Sequence, residues 1–284
     1  MKKLMCAIAA ISVGVAMSDE EGFKSSANVV GYTTTTVKQG YPKTFAVTLT
    51  DVSNPTGPIA IDKLFTIDNI KATAAFSDGM DQIWRWDTTA NNWAKYGYMQ
   101  GRSAPFTTAA WRKWIGPKTS DFADLTDDDV INPGETFLYK RGGEADATLT
   151  LSGQVKEFTA SPSYVLKQGY PQFIAYPWPV EILLSKLGEI ATFSDIKATA
   201  AFSDGMDQIW RWDTTANNWA KYGYMQGRSA PFTTAAWRKW IGPKNSDFAD
   251  LTDDDKIAAG EGFLYKRGGE ADLTLTFKPL QSAE

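Results

Sequence analysis

Apolar and polar residues alternate along several short stretches of the chain. The segment TFAVTLTDV (44–52) alternates, VVGYTTTTV (29–37) is rich in β-branched and aromatic residues, and QIWRW (82–86) and NWAKYGYM (92–99) flank the polar segment DTTAN. A period of two residues is typical of a strand with one covered face, and β-branched and aromatic residues favour strands. These stretches therefore predict strands, and DTTAN predicts the turn of a β-hairpin.

Turn residues separate further strand-like stretches at regular intervals. A Pro-Gly pair (133–134) precedes TFLYK (136–140), and Arg-Gly-Gly (141–143) precedes ATLTL (147–151). Strands that recur every ~8–12 residues between turns are typical of a β-sandwich or a barrel. No strand-helix-strand pattern of a parallel sheet is found.

The strand pattern occurs twice in the chain. Residues 70–118 recur unchanged as residues 196–244, and VKQGYP (37–42) returns as LKQGYP (166–171). A repeat of this length predicts tandem domains rather than a solenoid, whose repeats have ~20–50 residues. Each copy is long enough to bury a core of its own.

We therefore predict an all-β fold of two tandem homologous β-sandwich-like domains, each with one short helix. The first domain is expected to comprise residues 19–153 and the second residues 154–284. The helices are expected to begin near Asp62 and near Ser185, each of which is a possible N-cap.

The order of short motifs resembles that of a known group of proteins. In chain order, the motifs are VVGY, QGYP, the short helix, DQIWRWD, PGExF and LTLxGxV. This order is similar to that of uncharacterised secreted β-rich tandem-domain proteins of Verrucomicrobia, Lentisphaerae and Planctomycetes. The first copy carries the whole pattern, whereas the second keeps GEGF (260–263) without the proline. The resemblance implies a secreted β domain and no particular activity.

The first residues predict a secretory signal peptide. Lys2 and Lys3 precede an apolar run over residues 4–17, and Ala16 and Ser18 are small residues before a cleavage point. The run is shorter than the ~20 residues that a membrane-spanning helix needs. We expect residues 1–18 to be removed, no membrane span to remain, and the protein to be periplasmic, cell-surface or extracellular. The alternative is a membrane anchor that is never removed.

Charge and missing residue types narrow the function. Removing residues 1–18 takes away two of the 29 Lys and Arg and none of the 33 Asp and Glu, so the net charge changes from −4 to −6. An acidic surface argues against nucleic acid and anionic lipid as partners. The sequence has no His, and its one Cys lies in the predicted signal peptide. These absences exclude Ser-His-Asp and Cys-His catalysis and nitrogen or thiolate ligands for zinc, so we expect no catalytic residue, metal or cofactor.

Carboxylates are the remaining candidates for chemistry. Two of them at ~5–10 Å could hydrolyse glycosides, which keeps a glycosidase as a minor alternative. The candidates are Asp78, Asp81, Asp87 and Glu135 with their copies Asp204, Asp207, Asp213 and Glu261. The segment DFADLTDDD (121–129 and 247–255) could offer oxygen ligands to calcium. Neighbouring residues of a strand face opposite sides, so three adjacent Asp residues cannot all point at one ion. We therefore favour a solvated turn that an Asp side chain caps.

Tryptophan is the other distinctive residue type. The copied block contains five Trp, of which Trp84 and Trp86 share one face of a predicted strand. We expect most of these indoles to lie in a core, because aromatic side chains are more often buried than exposed as a binding surface. At least one Trp in each copy is expected to remain exposed as a platform on which sugar rings stack, with a neighbouring Arg. The predicted platform comprises Trp111, Arg112 and Trp114 and their copies Trp237, Arg238 and Trp240.

Together these features predict a secreted, non-enzymatic structural or adhesive protein of the cell surface or matrix. Two near-identical units can also meet like neighbours, so head-to-tail self-assembly through heterologous contacts is expected. The alternative is a glycan-binding protein, in which two identical sites gain avidity on a polymer. The expected partners are therefore another copy of the chain or an extracellular polysaccharide.

Overall fold

The computed structural model of the chain describes residues 30–50, 57–87, 90, 92–101, 107–132, 134–155, 161–213, 215–216, 218–227 and 233–278. The predicted signal peptide and most of the predicted turn DTTAN lie outside these residues. The described residues form strands joined by turns, with one α-helix of four residues, so the all-β prediction is confirmed.

Within the described residues, the first copy contributes twelve strands. They are β1 (Val30–Val37), β2 (Pro42–Ala46), β3 (Leu49–Thr50), β4 (Ile59–Ala60), β5 (Thr66–Ile67), β6 (Gln82–Asp87), β7 (Asn92–Met99), β8 (Ala110–Trp114), β9 (Phe122–Asp124), β10 (Val130–Ile131), β11 (Thr136–Lys140) and β12 (Ala147–Val155). A 3-10 turn, Ile61–Lys63, follows β4.

The part of the second copy that the structure describes contributes eleven strands and the helix. They are β13 (Ser163–Leu166), β14 (Pro171–Ala175), β15 (Ile182–Leu183), α1 (Leu187–Ile190), β16 (Ala191–Phe193), β17 (Gln208–Asp213), β18 (Asn218–Met225), β19 (Ala236–Trp240), β20 (Phe248–Asp250), β21 (Lys256–Ile257), β22 (Gly262–Lys266) and β23 (Leu273–Phe277). A 3-10 turn, Leu184–Lys186, directly precedes α1.

The predicted short helix is present in both copies as a 3-10 turn and continues as an α-helix only in the second. Asp62 and Ser185 lie inside the 3-10 turns, and the residues at the N-cap positions, Ala60 and Leu183, make no side-chain capping bond. The prediction that Asp62 or Ser185 caps a helix is therefore wrong. Each turn instead buries an apolar side chain against the core, and tertiary packing is what stabilises such short helical segments.

Each copy builds the same six-stranded antiparallel sheet. The strand order is β2-β11-β6-β7-β8-β9 in the first copy and β14-β22-β17-β18-β19-β20 in the second. The registers also correspond, since Trp86 lies opposite Trp93 just as Trp212 lies opposite Trp219. The two copies therefore share one topology, as the sequence repeat predicts.

A smaller sheet covers one face of each six-stranded sheet. In the first copy β1, β3 and β5 pair with β12, and in the second β13 and β16 pair with β23. One cluster of buried apolar residues belongs to each copy. In the first copy it includes Phe45, Tyr96 and Phe137 from the large sheet, and Leu149 and Leu151 from β12. Two sheets that share an apolar core form a sandwich-like arrangement.

The two copies contact each other through equivalent strands. β2 and β11 of the first copy lie against β14 and β22 of the second. The Ala46 N–H donates to the carbonyl of Gly260 at 2.8 Å, and Thr44 Oγ1 donates to the carbonyl of Gly262 at 2.6 Å. Because β2 corresponds to β14 and β11 to β22, like surfaces meet across a pseudo-two-fold axis. The copies have separate cores but share this contact, so their division into two domains at residue 153 stays a prediction.

A buried ion pair connects the segment before β6 with the residue that follows β11. Arg141 Nη1 lies 2.5 Å from Asp81 Oδ2, and both side chains are buried. Asp81 also accepts hydrogen bonds from the backbone N–H groups of Lys71 at 2.7 Å and Gly142 at 2.9 Å. The second copy repeats the ion pair at 2.7 Å. Distant segments of each copy are thereby joined around one carboxylate.

Replacing Asp81 should reveal how much this pair stabilises the fold. We expect Asp81→Asn to lower the free energy of unfolding by about 3–5 kcal/mol, because the Arg141 cation then stays buried without a counter-charge. Asp78→Asn is the matched control, since Asp78 is 86% exposed and pairs with Lys140 at the surface. Its loss should stay within about 1 kcal/mol. Urea unfolding followed by tryptophan fluorescence measures both changes, and equal losses would contradict the role given to the buried pair.

Candidate functional site

The structure places Trp111 and Trp237 in the cores rather than on a surface. Each of the two residues is 8% exposed. The ring of Trp111 packs edge-on against Tyr98 and Phe65, with centroid separations of 5.5 and 6.1 Å. The prediction that Trp111 and Trp237 belong to an exposed platform is therefore wrong, because their face of the large sheet is the one that packs on the core.

Arg112 and Arg238 project from the opposite face of their strands but are also buried. Arg112 Nε donates to Asp124 Oδ1 at 3.0 Å, and its Nη2 donates to the carbonyl of Thr108 at 3.0 Å. In the second copy both bonds measure 3.2 Å. The bonds fasten β8 to β9 and to the loop before β8. The two arginines are thus structural donors, and their predicted role as surface partners of a ligand is wrong.

Trp114 and Trp240 are partly exposed, but neighbours from the same copy contact their rings. Trp114 stacks on Phe76, with a centroid separation of 5.3 Å and an angle of 16°. Its Nε1 donates to the carbonyl of Lys118 at 2.9 Å, and Lys95 Nζ lies 5.3 Å from the ring centroid. The second copy has the same stacking at 5.4 Å and the same hydrogen bond at 3.0 Å. These two indoles are the part of the predicted platform that reaches the surface.

Three further tryptophans of the first copy form a cluster on the outer face of the large sheet, which is the face that does not pack on the core. They are Trp84, Trp86 and Trp93. As predicted, Trp84 and Trp86 share one face of β6, and both meet Trp93 of β7 at 6.1 and 5.3 Å. Lys95 Nζ lies 4.5 Å from the Trp84 ring centroid, which is a cation–π contact. Of the five Trp in the first copied block, only Trp111 belongs to the core cluster. The expectation that most of these indoles lie in a core is therefore wrong.

Trp93 connects this cluster to the second copy. Its ring packs edge-on against Phe173 at a centroid distance of 5.3 Å. The outer face of the large sheet thus serves the contact between the copies, and its aromatic side chains are partly covered by it.

Several exposed apolar side chains lie outside the predicted platform. Ile115 and Ile241 are each 63% exposed, Tyr41 is 42% exposed and Tyr170 is 57% exposed. The two isoleucines directly follow β8 and β19, and the two tyrosines occupy the QGYP turns before β2 and β14. A signal for them exists in the sequence, because an apolar residue in a turn with Gly and Pro has no cross-strand neighbour to cover it.

The candidate carboxylates of the first copy are engaged with protein partners. Asp81 is fully buried in its ion pair, so it cannot touch a substrate. Asp78 and Glu135 form ion pairs at 2.7 and 3.5 Å. Asp87 accepts a hydrogen bond from the Ala90 N–H at 3.0 Å and so stabilises the hairpin turn. The fold itself accounts for these four side chains.

One of the three adjacent aspartates in the Asp-rich loop turns inward. Asp129 is buried, whereas the two before it are exposed. Its carboxylate accepts hydrogen bonds from Tyr96 Oη at 3.1 Å, Lys113 Nζ at 2.8 Å and the Thr126 N–H at 3.0 Å. Burial alone would raise the pKa of Asp129, but the bonds from Lys113 and Thr126 outweigh burial and hold the pKa below its ordinary value of 3.8. Asp129 therefore caps its own turn, as expected.

The described ranges contain no cluster of acidic side chains with the geometry of a metal site. There, no three His, Cys, Asp or Glu residues lie close enough together to hold a metal ion. The buried oxygen atoms of the loop are instead saturated by protein donors.

Acid unfolding should depend on Asp129 and Asp255. The pKa of each is lowered in the folded chain. The unfolded chain therefore binds more protons at low pH, so the stability they contribute is present above about pH 5 and is lost as the pH falls below about 4. The double variant Asp129→Asn, Asp255→Asn should lose stability less steeply than the wild type between about pH 4.5 and 2.5.

Urea titrations at several pH values give the two slopes. The control is Asp127→Asn, Asp253→Asn, which removes exposed carboxylates from the same two loops and should keep the wild-type slope. If the Asp129 and Asp255 variant also keeps that slope, the buried carboxylates do not couple folding to protons.

No protein-family model, curated protein or solved structure matches the chain. The resemblance to the secreted β-rich group therefore stays a prediction. Within the ranges that the structure describes, no helix has the length and apolar character needed to cross a membrane.

Proposed function

We propose that the chain is a secreted, non-enzymatic structural or adhesive protein of the cell surface or extracellular space that associates with further copies of itself. The observation that carries the proposal is one exposed surface repeated at the two sheet edges that lie farthest from the contact between the copies. This surface, called the distal edge, comprises β9 with Ile115 in the first copy and β20 with Ile241 in the second. The protein partners of Asp81 and Asp129 support the non-enzymatic part of the proposal.

Each distal edge is well separated from the contact between the copies. The contact strands β2 and β14 stand at one end of their sheets, and β9 and β20 stand at the other end. Five steps of ~4.8 Å between neighbouring strands put each distal edge about 24 Å from the contact strand β2 or β14 of its own sheet. Because residues 110–118 and 236–244 have the same sequence, one chain presents the same surface twice.

The distal edge holds an exposed apolar side chain in a hydrogen-bonded loop. The Ile115 N–H donates to the carbonyl of Asp121 at 2.9 Å, and the Lys118 N–H donates to Asp121 Oδ2 at 3.1 Å. A loop that is already ordered loses little entropy when its side chain is buried on a partner. β9 has three residues and ends at a charged one, Asp124, which limits continuous strand addition. Contact through the loop is therefore favoured over extension of the sheet.

Two such surfaces on one chain suit a linear array. The contact between the copies of one chain joins like surfaces and is closed, so it cannot propagate. Head-to-tail assembly would then use the distal edges, with Ile115 of one chain near Ile241 of the next.

Charges at the distal edges should prevent this assembly. We expect the wild-type chain to associate with increasing concentration in analytical ultracentrifugation. The double variant Ile115→Asp, Ile241→Asp should associate at least about tenfold more weakly, because burying an unpaired charge costs more than ~1.4 kcal/mol. Each single variant should stop at dimers, because its one unchanged distal edge can pair only with the same edge of a second chain.

Val165→Asp is the matched control for this experiment. Val165 is 56% exposed but lies on β13, outside the distal edges, so its variant should assemble like the wild type. A wild-type chain that stays monomeric at about millimolar concentration, where even weak contacts of ~4 kcal/mol are populated, would rule out the assembly.

The exposed tyrosines favour a second candidate function, glycan binding. Tyr41, Pro42 and Trp212 line one concavity of about 10 Å³ at the contact between the copies. A phenol ring beside an indole can stack on sugar rings, so these residues would replace Trp111 and Trp114 as the aromatic platform. The concavity is far smaller than the ~300–1,000 Å³ of a pocket that encloses a ligand. The ligand would therefore be a polysaccharide that lies along the surface.

Binding to an array of extracellular polysaccharides tests this second function. The double variant Tyr41→Ala, Tyr170→Ala removes the exposed ring of both QGYP turns, so it should bind at least about tenfold more weakly, because a ring contact contributes up to about 1.5 kcal/mol. Tyr32→Ala removes another exposed ring, 53% exposed on β1, and should bind like the wild type. Glycan binding would be refuted by a wild type that binds nothing on the array, or by equal binding of all three proteins.

A further inference from the structure

The two copies differ in sequence at the positions where they touch. Residues 70–118 and 196–244 are identical, yet side chains from β1, β2 and β11 differ from their equivalents in the second copy. The differing pairs at equivalent positions are Thr35 and Tyr164, Lys43 and Gln172, Thr44 and Phe173, and Thr136 and Gly262. The contact is therefore pseudo-symmetric in backbone and asymmetric in side chains.

Thr136 lies directly against Gly262. A β-carbon added to Gly262 would lie 2.1 Å from Thr136 Cγ2, far inside the ~3.5–4.0 Å at which carbon atoms normally meet. Thr136 is itself buried, so it cannot turn into solvent. Threonine at both positions would clash, and glycine at both would leave a gap. The observed residues complement each other.

The residues at positions 44 and 173 also form a small and large pair. Thr44 is fully buried, and its hydroxyl donates to the carbonyl of Gly262 at 2.6 Å. Phe173 instead packs against Trp93 at 5.3 Å. Phenylalanine at position 44 would lose the hydrogen bond, and threonine at position 173 would lose the ring contact. Each residue suits its own side of the contact.

A third difference adds polar asymmetry. Tyr164 Oη donates to a backbone carbonyl of the first copy at 3.2 Å, whereas the equivalent Thr35 accepts a hydrogen bond from Lys43 Nζ. Lys43 and Glu261 line one concavity between the copies. Burial lowers the pKa of Lys43 and raises the pKa of Glu261, and the attraction between the two opposes both shifts. Gln172 occupies the position equivalent to Lys43, so the equivalent site beside Glu135 lacks this lysine.

We propose that these differences make the contact selective, so that a first copy pairs with a second copy and not with another first copy. Like pairing would bring Thr136 against Thr136, or Gly262 against Gly262. Because the copies share one topology and residues 70–118 recur unchanged as residues 196–244, like pairing between chains would compete with the native contact during folding. The sequence differences between the copies therefore disfavour pairing of like copies and also favour the native contact. This selectivity does not depend on the proposed function.

Four full-length proteins test the selectivity: the wild type, Thr136→Gly, Gly262→Thr and the swapped double variant. Gly262→Thr imitates the contact of two first copies, and Thr136→Gly imitates the contact of two second copies. Both single variants should melt below the wild type, Gly262→Thr by roughly 5 °C. The double variant restores one small and one large residue, so it should recover at least half of that loss. Scanning calorimetry gives the melting temperatures.

The proposal requires that the effects of Thr136→Gly and Gly262→Thr on the melting temperature depend on each other. Losses that simply add in the double variant would overturn the proposal, and so would an unchanged melting temperature for Gly262→Thr. If Gly262→Thr does not fold, Gly262→Ala with and without Thr136→Gly makes the same comparison, because the β-carbon alone already overlaps Thr136.

Discussion

Each copy depends on a buried ion pair, Arg141 with Asp81 in the first and Arg267 with Asp207 in the second. Arg141 also donates to the carbonyls of Ala145 at 3.1 Å and Asn69 at 2.9 Å. One guanidinium and one carboxylate thus fix the chain before β6, after β11 and before β12. Removing two charges from water is costly, and these hydrogen bonds offset that cost. In a chain with a single Cys, no disulfide can take over this function.

The ion pair also explains why the outer face of the large sheet is not an open platform. It holds the segment between Asn69 and Asp81 over that face, where Phe76 and Met80 descend onto Gly97. A β-carbon at Gly97 would lie 2.4 Å from Met80 Sδ, so only glycine allows so close an approach. Phe76 then reaches the ring of Trp114 and stacks on it. The covering of this indole therefore depends on an ion pair whose two residues lie outside β8, before β6 and after β11.

Local pattern located several strands but did not give all of their bounds or their covered faces. The predicted strand over residues 44–52, for example, is divided between β2 and β3. Turn residues and strand-favouring residues predicted β6, β7 and β11, and the alternation of side chains along a strand placed Trp84 and Trp86 on one side of β6. The same alternation puts Trp111 and Trp114 on opposite sides of β8, since they are three residues apart, so a platform with both rings conflicts with the strand. Which side is covered depends on distant pairing, such as β12 with β1, about which a short segment carries no information.

The burial of Arg141 shows the same limit. It lies in the polar segment KRGGEAD, which by composition reads as an exposed turn. Its partner Asp81 is 60 residues away, and only the completed sheet brings the two together. Likewise, the differences between the copies acquire meaning only when Thr136 and Gly262 are seen to touch.

The contact of Trp93 with Phe173 has a spectroscopic consequence. Every tryptophan of the copied block has a twin in an identical local sequence, and the twin of Trp93 is Trp219. The position equivalent to Phe173 is Thr44, which has no ring, so Trp219 cannot make the corresponding aromatic contact. In a protein labelled with fluorotryptophan, the splitting between the resonances of this one pair reports directly on the contact between the copies. The twins Trp111 and Trp237, buried in separate cores, provide the reference within the same spectrum.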